Sequence, residues 1–223
     1  MKDPPWDQRI ASVLVRPLVN TPVTPNQLTF ASLLVALTGA ALLANGDPIL
    51  ANWGAGLFAL ARFMDHFDGE LARQQKTSSR IGYFLDYIAG ALSYGAFFFC
   101  IGVGLQDGWL GGWAIALGVA GTFSAILSMF LNIDIDKALS GGDGGGESGD
   151  AVGYPGFAGF ELEDGIYLIA PITWLGFLQP FFIAIGVGAV IESGADVACV
   201  GHAVAVGIDA IVKAGATVNV IAN

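Results

Sequence analysis

The sequence predicts an all-α fold: a polytopic membrane bundle of about six transmembrane helices, preceded by an amphipathic helix lying at the membrane interface. Three observations carry that reading. Of 223 residues, 54% are hydrophobic and only 13% charged, too few charges to cover a soluble domain of this length. The apolar runs reach the roughly 20 residues that a helix needs to cross a bilayer. Turn and polar segments cut those runs, at 45–48, 68–80, 106–108 and 140–150. Residues 1–223 read as one membrane domain. The formal net charge of −10 argues against nucleic acid as a partner, because such partners select a basic surface.

Residues 1–24 hold Trp6, Ile10, Val13, Leu14, Leu18 and Val19 at near-helical spacing, with Arg9 and Arg16 among them. This pattern predicts a helix on the membrane surface, packed on the protein as well. Thr24-Pro25-Asn26 supplies a start signal for the first span, Leu28 to Ala44, which Asn45-Gly46-Asp47-Pro48 closes. A second span, Ile49 to Met64, delivers Asp65, and the polar segment Asp68 to Arg80 follows. A third runs from Tyr83 to Leu105 and a fourth from Trp109 to Leu131, with Trp109 and Trp113 suited to the interfacial belt.

Residues 132–164 read as an acidic, glycine-rich cytoplasmic loop containing SGGDGGGESGD. Glu161, Glu163 and Asp164 stand just before the fifth span, Ile166 to Val190, where Pro171 and Pro180 suggest kinks. The stretch 191–223 is predicted to hold the last helix, with Asp209 and Lys213 spaced to pair. Cys100 and Cys199 are far apart in apolar surroundings and read as free thiols. The isolated His66 and His202 carry no ligand pattern.

Lysine and arginine set the orientation. Arg9 and Arg16 precede the first span; Arg62, Arg73, Lys76 and Arg80 cluster between the second and third; Lys137 follows the fourth. The turns at 45–48, 106–108 and 191–195 hold none. The positive-inside rule places the N-terminus and the charged stretch 65–90 in the cytoplasm.

That stretch, DHFDGELARQQKTSSRIGYFLDYIAG, carries the chemistry. Acids at a membrane edge are costly and mark function. Asp65 and Asp68 share a helix face, and Asp86 opens the next apolar run, so neighbouring helices bring three carboxylates together. Hard divalent cations take such oxygens, commonly with substrate phosphates. Gly69 and Gly82 leave the backbone open to a ligand. The plain alternative is a solvated charged face in which the acids pair with Arg62, Arg73 or Arg80.

The spacing resembles the signature of the CDP-alcohol phosphatidyltransferases, DxxDGxxAR, eight residues, then GxxxDxxxD. Asp65, Asp68, Gly69, Ala72, Arg73, Gly82 and Asp86 match seven of its eight fixed positions, and Gly90 stands where the signature has its last aspartate. The resemblance implies transfer of a phosphatidyl group from a CDP-linked lipid, such as CDP-diacylglycerol, to an alcohol acceptor, with release of CMP, in phospholipid biosynthesis. It implies Mg²⁺ or Mn²⁺ on Asp65, Asp68 and Asp86. Gly69, Ala72, Arg73 and Gly82 would line the CDP pocket, with Arg73 on a phosphate or holding an acid. Its partners are the CDP-lipid and alcohol substrates and membrane lipids, and family members are often dimers.

Gly90 cannot serve as the base that the family's last aspartate is taken to be. Asp164, Glu163 or Glu161 from the acidic loop are candidates to replace it, as is a phosphate on the acceptor. Two other readings stay open: a CDP-lipid-binding protein without turnover, and a small membrane transporter. No repeat of paired broken spans, the transporter's mark, is visible.

Overall fold

The computed structural model describes residues 6–139 and 162–191. All regular structure there is helical: α1 (Trp6–Leu14), α2 (Pro25–Leu43), α3 (Pro48–Gln75), α4 (Arg80–Gly104), α5 (Gly112–Leu139), α6 (Ile169–Trp174) and α7 (Leu178–Ile191), with short 3₁₀ turns at Arg16–Leu18 and Leu162–Leu168. Among the described residues, three helices are long and apolar enough to cross a membrane: Pro25–Leu43, Arg80–Gly104 and Gly112–Ile133. The last helix expected within 191–223, with Cys199, His202, Asp209 and Lys213, lies outside the described residues from 192 onward.

Local chemistry fixes the helix starts. Thr24 caps α2 in a reciprocal box: its hydroxyl accepts from the Gln27 N–H, and the Gln27 side chain accepts from the Thr24 N–H, with Pro25 in the first turn. Asp47 caps α3 by accepting from the Ile49 and Leu50 N–H groups, both at 2.9 Å. Ser79 caps α4 through the Gly82 N–H at 3.0 Å.

Three sequence boundaries are corrected. First, α3 does not stop at Met64 but runs through the charged motif to Gln75, ending at Lys76 in the left-handed region with φ 56°. Second, α5 begins at Gly112 and stays helical to Leu139, eight residues past the expected end at Leu131. Third, the expected fifth span is two short helices. Pro171 and Pro180 each sit in a first helical turn, where proline costs nothing, and the break falls at Gly176, φ 82°. There the Phe177 N–H reaches the Ile172 carbonyl and the Gly176 N–H reaches Thr173, both at 2.9 Å, a Schellman termination.

Short connections make α2 and α3 antiparallel neighbours, α2 also packs along α4, and α4 pairs with α5. Backbones touch where side chains are missing. A Cβ on Gly39 would lie 2.7 Å from the Gly54 carbonyl oxygen, and one on Gly54 would lie 2.6 Å from the Gly39 oxygen. Gly102 and Gly118 meet in the same manner between α4 and α5. Small residues at crossings are how helices associate in lipid, where no hydrophobic gain separates neighbour from solvent. The core centres on Phe58 of α3, stacked on Phe97 of α4 at 4.1 Å between centroids, with Leu43, Ile101, Ile169 and Phe182 around it.

Helix α1 shows both expected faces. Asp7, Ala11 and Val15 are buried on the bundle side, while Ile10, Val13 and Leu14 are about half exposed. The buried Asp7 carboxylate holds the helix down: His66 Nε2 lies 2.8 Å away and the Tyr167 hydroxyl donates to it at 3.2 Å. Farther along, Gln74 Nε2 donates to the Ser12 carbonyl at 2.9 Å.

Candidate active site

The antiparallel turn between α3 and α4 brings the three predicted acids together. One carboxylate oxygen from each of Asp65, Asp68 and Asp86 lies within 4.8 Å of the others. Asp65 and Asp68 sit one turn apart on α3, and Asp86 faces them from the second turn of α4. Asp68 is buried, Asp65 is partly buried and Asp86 is exposed, so the cluster opens on the Asp86 side.

Each acid is held differently. Asp65 pairs with Arg62 at 3.0 Å. The guanidinium of Arg62 also lies over the Tyr94 ring of α4, 4.7 Å from its centroid. The alternative pairing read from the sequence is therefore present for Arg62, but it covers only one of three carboxylates. Asp68 accepts from the Gly69 N–H at 2.6 Å and from the Thr29 hydroxyl of α2. Asp68 lies beyond the apolar half of α3. Burial first, and the charge of Asp65 second, push its carboxyl up to about 6, against the hydrogen bonds from Thr29 and Gly69 and the charge of Arg62. Three acids with one close cation leave excess negative charge on hard oxygen donors, a set that a divalent cation fits.

The other predicted residues take distinct places. Gly69 and Ala72 are on the same helix as the first two acids, and Gly82 is in the first turn of α4. A Cβ on Gly82 would lie 3.2 Å from Ser79 Oγ and 3.3 Å from Asn26 Oδ1, so the starts of α2 and α4 meet there. Arg73 is engaged with Glu70 on its own helix, at 2.7 and 3.0 Å. Gly90 lies one turn beyond Asp86 on α4, and a Cβ there would meet nothing within 4 Å. Glu161 lies outside the described residues. Glu163 and Asp164 fall in the 3₁₀ segment Leu162–Leu168, which Tyr167 ties to Asp7.

Thr29 and the Asp7–His66 contact were missed from the sequence. Thr29 sits 39 residues from Asp68 in an apolar run. Its faint signal is a polar side chain one turn inside a capped membrane helix.

A bundle of apolar helices with an acidic centre at the head of two of them defines an integral, multi-pass membrane protein. Residues 22–141 match the CDP-alcohol phosphatidyltransferase family, and the chain belongs to it. It is thus a transferase of phospholipid biosynthesis, in a family that is metal-dependent, and its three acids could bind a metal. Among its relatives, the chain is 29% identical over 176 residues to an archaetidylinositol phosphate synthase of Pyrococcus horikoshii, covering 75% of this chain and 86% of that protein. It is 42% identical over 69 residues to a bifunctional IPC transferase and DIPP synthase of Rubrobacter xylanophilus, covering 31% of this chain and 15% of that protein.

Proposed function

We propose that the chain transfers a phosphatidyl-type group from a CDP-linked lipid such as CDP-diacylglycerol to an alcohol, releasing CMP. The observation that supports this most is the convergence of Asp65, Asp68 and Asp86 from two helices. In the proposed step the acceptor oxygen attacks the lipid-side phosphorus, the bond to CMP breaks, and the acceptor proton passes to a base. Asp65, Asp68 and Asp86 would hold Mg²⁺ or Mn²⁺, which supplies charge stabilisation for the phosphoryl oxygens and the leaving CMP. Gly69, Ala72 and Gly82 would admit the CDP moiety, with Arg73 at its edge. Glu161, Glu163 and Asp164 are the proposed sources of the base, with a phosphate on the acceptor as the other source.

The name of the Pyrococcus relative points the acceptor search to inositol phosphate. Lys76 and Arg80, exposed between α3 and α4, suit a phosphorylated alcohol. The finer architecture is proposed with it: one domain over 1–223, about six spans, and the acidic centre facing the cytoplasm. In it the apolar half of α3 and the broken α6–α7 pair cross together with the three long apolar helices, and the chain forms a homodimer.

A CMP-release assay with a CDP-lipid, Mg²⁺ or Mn²⁺ and a panel of alcohols including inositol phosphate tests the reading. Acceptor-dependent CMP release supports it. CDP-lipid binding with no CMP release for any acceptor would establish a binder without turnover, the second reading, which the lack of a carboxylate at Gly90 favours. Solute flux without nucleotide chemistry would establish a transporter.

A further inference from the structure

We propose that Thr29 is a positioning residue for Asp68, fixing that carboxylate for the cation; the inference rests on the reading of Asp65, Asp68 and Asp86 as ligands.

The argument begins with the asymmetry of the three acids. Asp86 is exposed and Asp65 is steadied by a cation, but Asp68 is buried and meets α2, a helix that contributes no acid to the cluster. Thr29 and Asp68 are 3% and 6% exposed, so water does not compete for their contact. A threonine hydroxyl carries one proton. It has two acceptors within reach, the Pro25 carbonyl at 3.3 Å and Asp68 Oδ2. The charged acceptor is the stronger and the closer, so the proton belongs to Asp68.

Asp68 Oδ1 meanwhile accepts from the Gly69 N–H. Each oxygen is thus engaged once, which fixes the rotation of the carboxylate and leaves further lone pairs for a cation. The register of this contact comes from the start of α2: the Thr24–Gln27 box and Pro25 set the first turn, and Thr29 follows one turn later on the face toward α3. The Gly39–Gly54 crossing keeps the two helices near enough for it. Partners that orient a metal ligand in this way are worth about 10- to 100-fold in affinity.

The test is Mn²⁺ binding by calorimetry on the full chain in lipid nanodiscs, with thermal unfolding of the cation-free protein as a check on folding. Thr29→Val keeps shape and removes the donor; Thr29→Ser keeps the donor. The expected result is about 10- to 100-fold weaker Mn²⁺ binding in Thr29→Val and affinity within about threefold of the native chain in Thr29→Ser. In an Asp68→Asn background, Thr29→Val should weaken binding no further, an outcome that a merely structural role would not give. If valine prevents folding, Thr29→Ala, which only deletes atoms, replaces it. Native-like affinity in Thr29→Val, or equal loss in valine and serine variants, overturns the proposal alone. Absence of saturable Mn²⁺ binding to the native chain overturns the ligand reading and this inference with it.

Discussion

Replacing Gly90 by aspartate fills the one fixed position at which the chain departs from its family's signature. The structure gives the first steric term directly: a Cβ at Gly90 meets nothing within 4 Å, so the branch point of a side chain enters without displacing a neighbour. The electrostatic term follows from the helix. Positions 86 and 90 are one turn apart, with Cβ atoms about 5–6 Å from each other. Two carboxylates at about 6 Å in an effective dielectric near 20 repel by about 3 kcal/mol, and the exposure of Asp86 reduces this to about 1–2 kcal/mol.

The cation-free variant should therefore unfold at lower temperature than the native chain, and Mg²⁺ should restore more stability to the variant than to the native chain. The chemical term is larger. A base beside the incoming hydroxyl contributes about 10²- to 10⁴-fold. If the native chain lacks a substitute base, CMP release by Gly90→Asp should rise by about 10²-fold or more. If an acid from the 161–164 segment already serves, the gain is small and Glu161→Gln, Glu163→Gln or Asp164→Asn should instead lose activity. A native chain with good turnover, indifferent to Gly90→Asp and to all three loop substitutions, would refute both accounts of the missing base. Proton removal by the substrate itself would then stand.

Asp65→Asn, Asp68→Asn and Asp86→Asn should each weaken Mn²⁺ binding by at least tenfold in calorimetry; undiminished binding in all three would remove the site assignment. Gly54→Val should force α2 from α3, since its Cβ would fall 2.6 Å from the Gly39 carbonyl oxygen, and should lower both thermal stability and Mn²⁺ affinity; native behaviour would contradict the close crossing. Phe58→Ala, which empties the centre of the core, should cost about 3 kcal/mol in reversible unfolding, and a loss under 1 kcal/mol would count against that packing. Cysteine variants at Lys76 and Asp107 should label from opposite membrane faces, Lys76 from the cytoplasm; labelling of Lys76 from outside would reverse the proposed orientation.

Much of this protein is written locally. Thr24-Pro25 and Asp47-Pro48 are capping residues whose partners lie two or three residues away, so the starts of α2 and α3 follow from the sequence alone. The Ser79 cap instead starts α4 at Arg80, three residues before the Tyr83 start that hydropathy predicts. The acidic motif is legible for the same reason: its spacing is a property of the chain, and it identified the family before any coordinates. Where α3 ends was not legible, because its last turns are polar and apolar periodicity carries no information there. The fifth span misled because proline marks either a kink or a first turn, and only the hydrogen bonds around Gly176 decide between them.

Tertiary structure alone decided which groups share the site. The sequence says that Asp65 and Asp68 face one way, but the 4.8 Å convergence with Asp86 depends on α2, which packs on both α3 and α4 and so sets them side by side. Of the sequence's candidate arginine partners, packing on Tyr94 and the reach of the side chain selected Arg62 for Asp65 and left Arg73 with Glu70. Thr29 and Asp68, or Asp7 and His66, are strangers in sequence. A hydroxyl in an apolar helix and an acid in an amphipathic one acquire meaning only when burial removes water as their alternative partner, and burial belongs to the packed bundle rather than to any one of its helices.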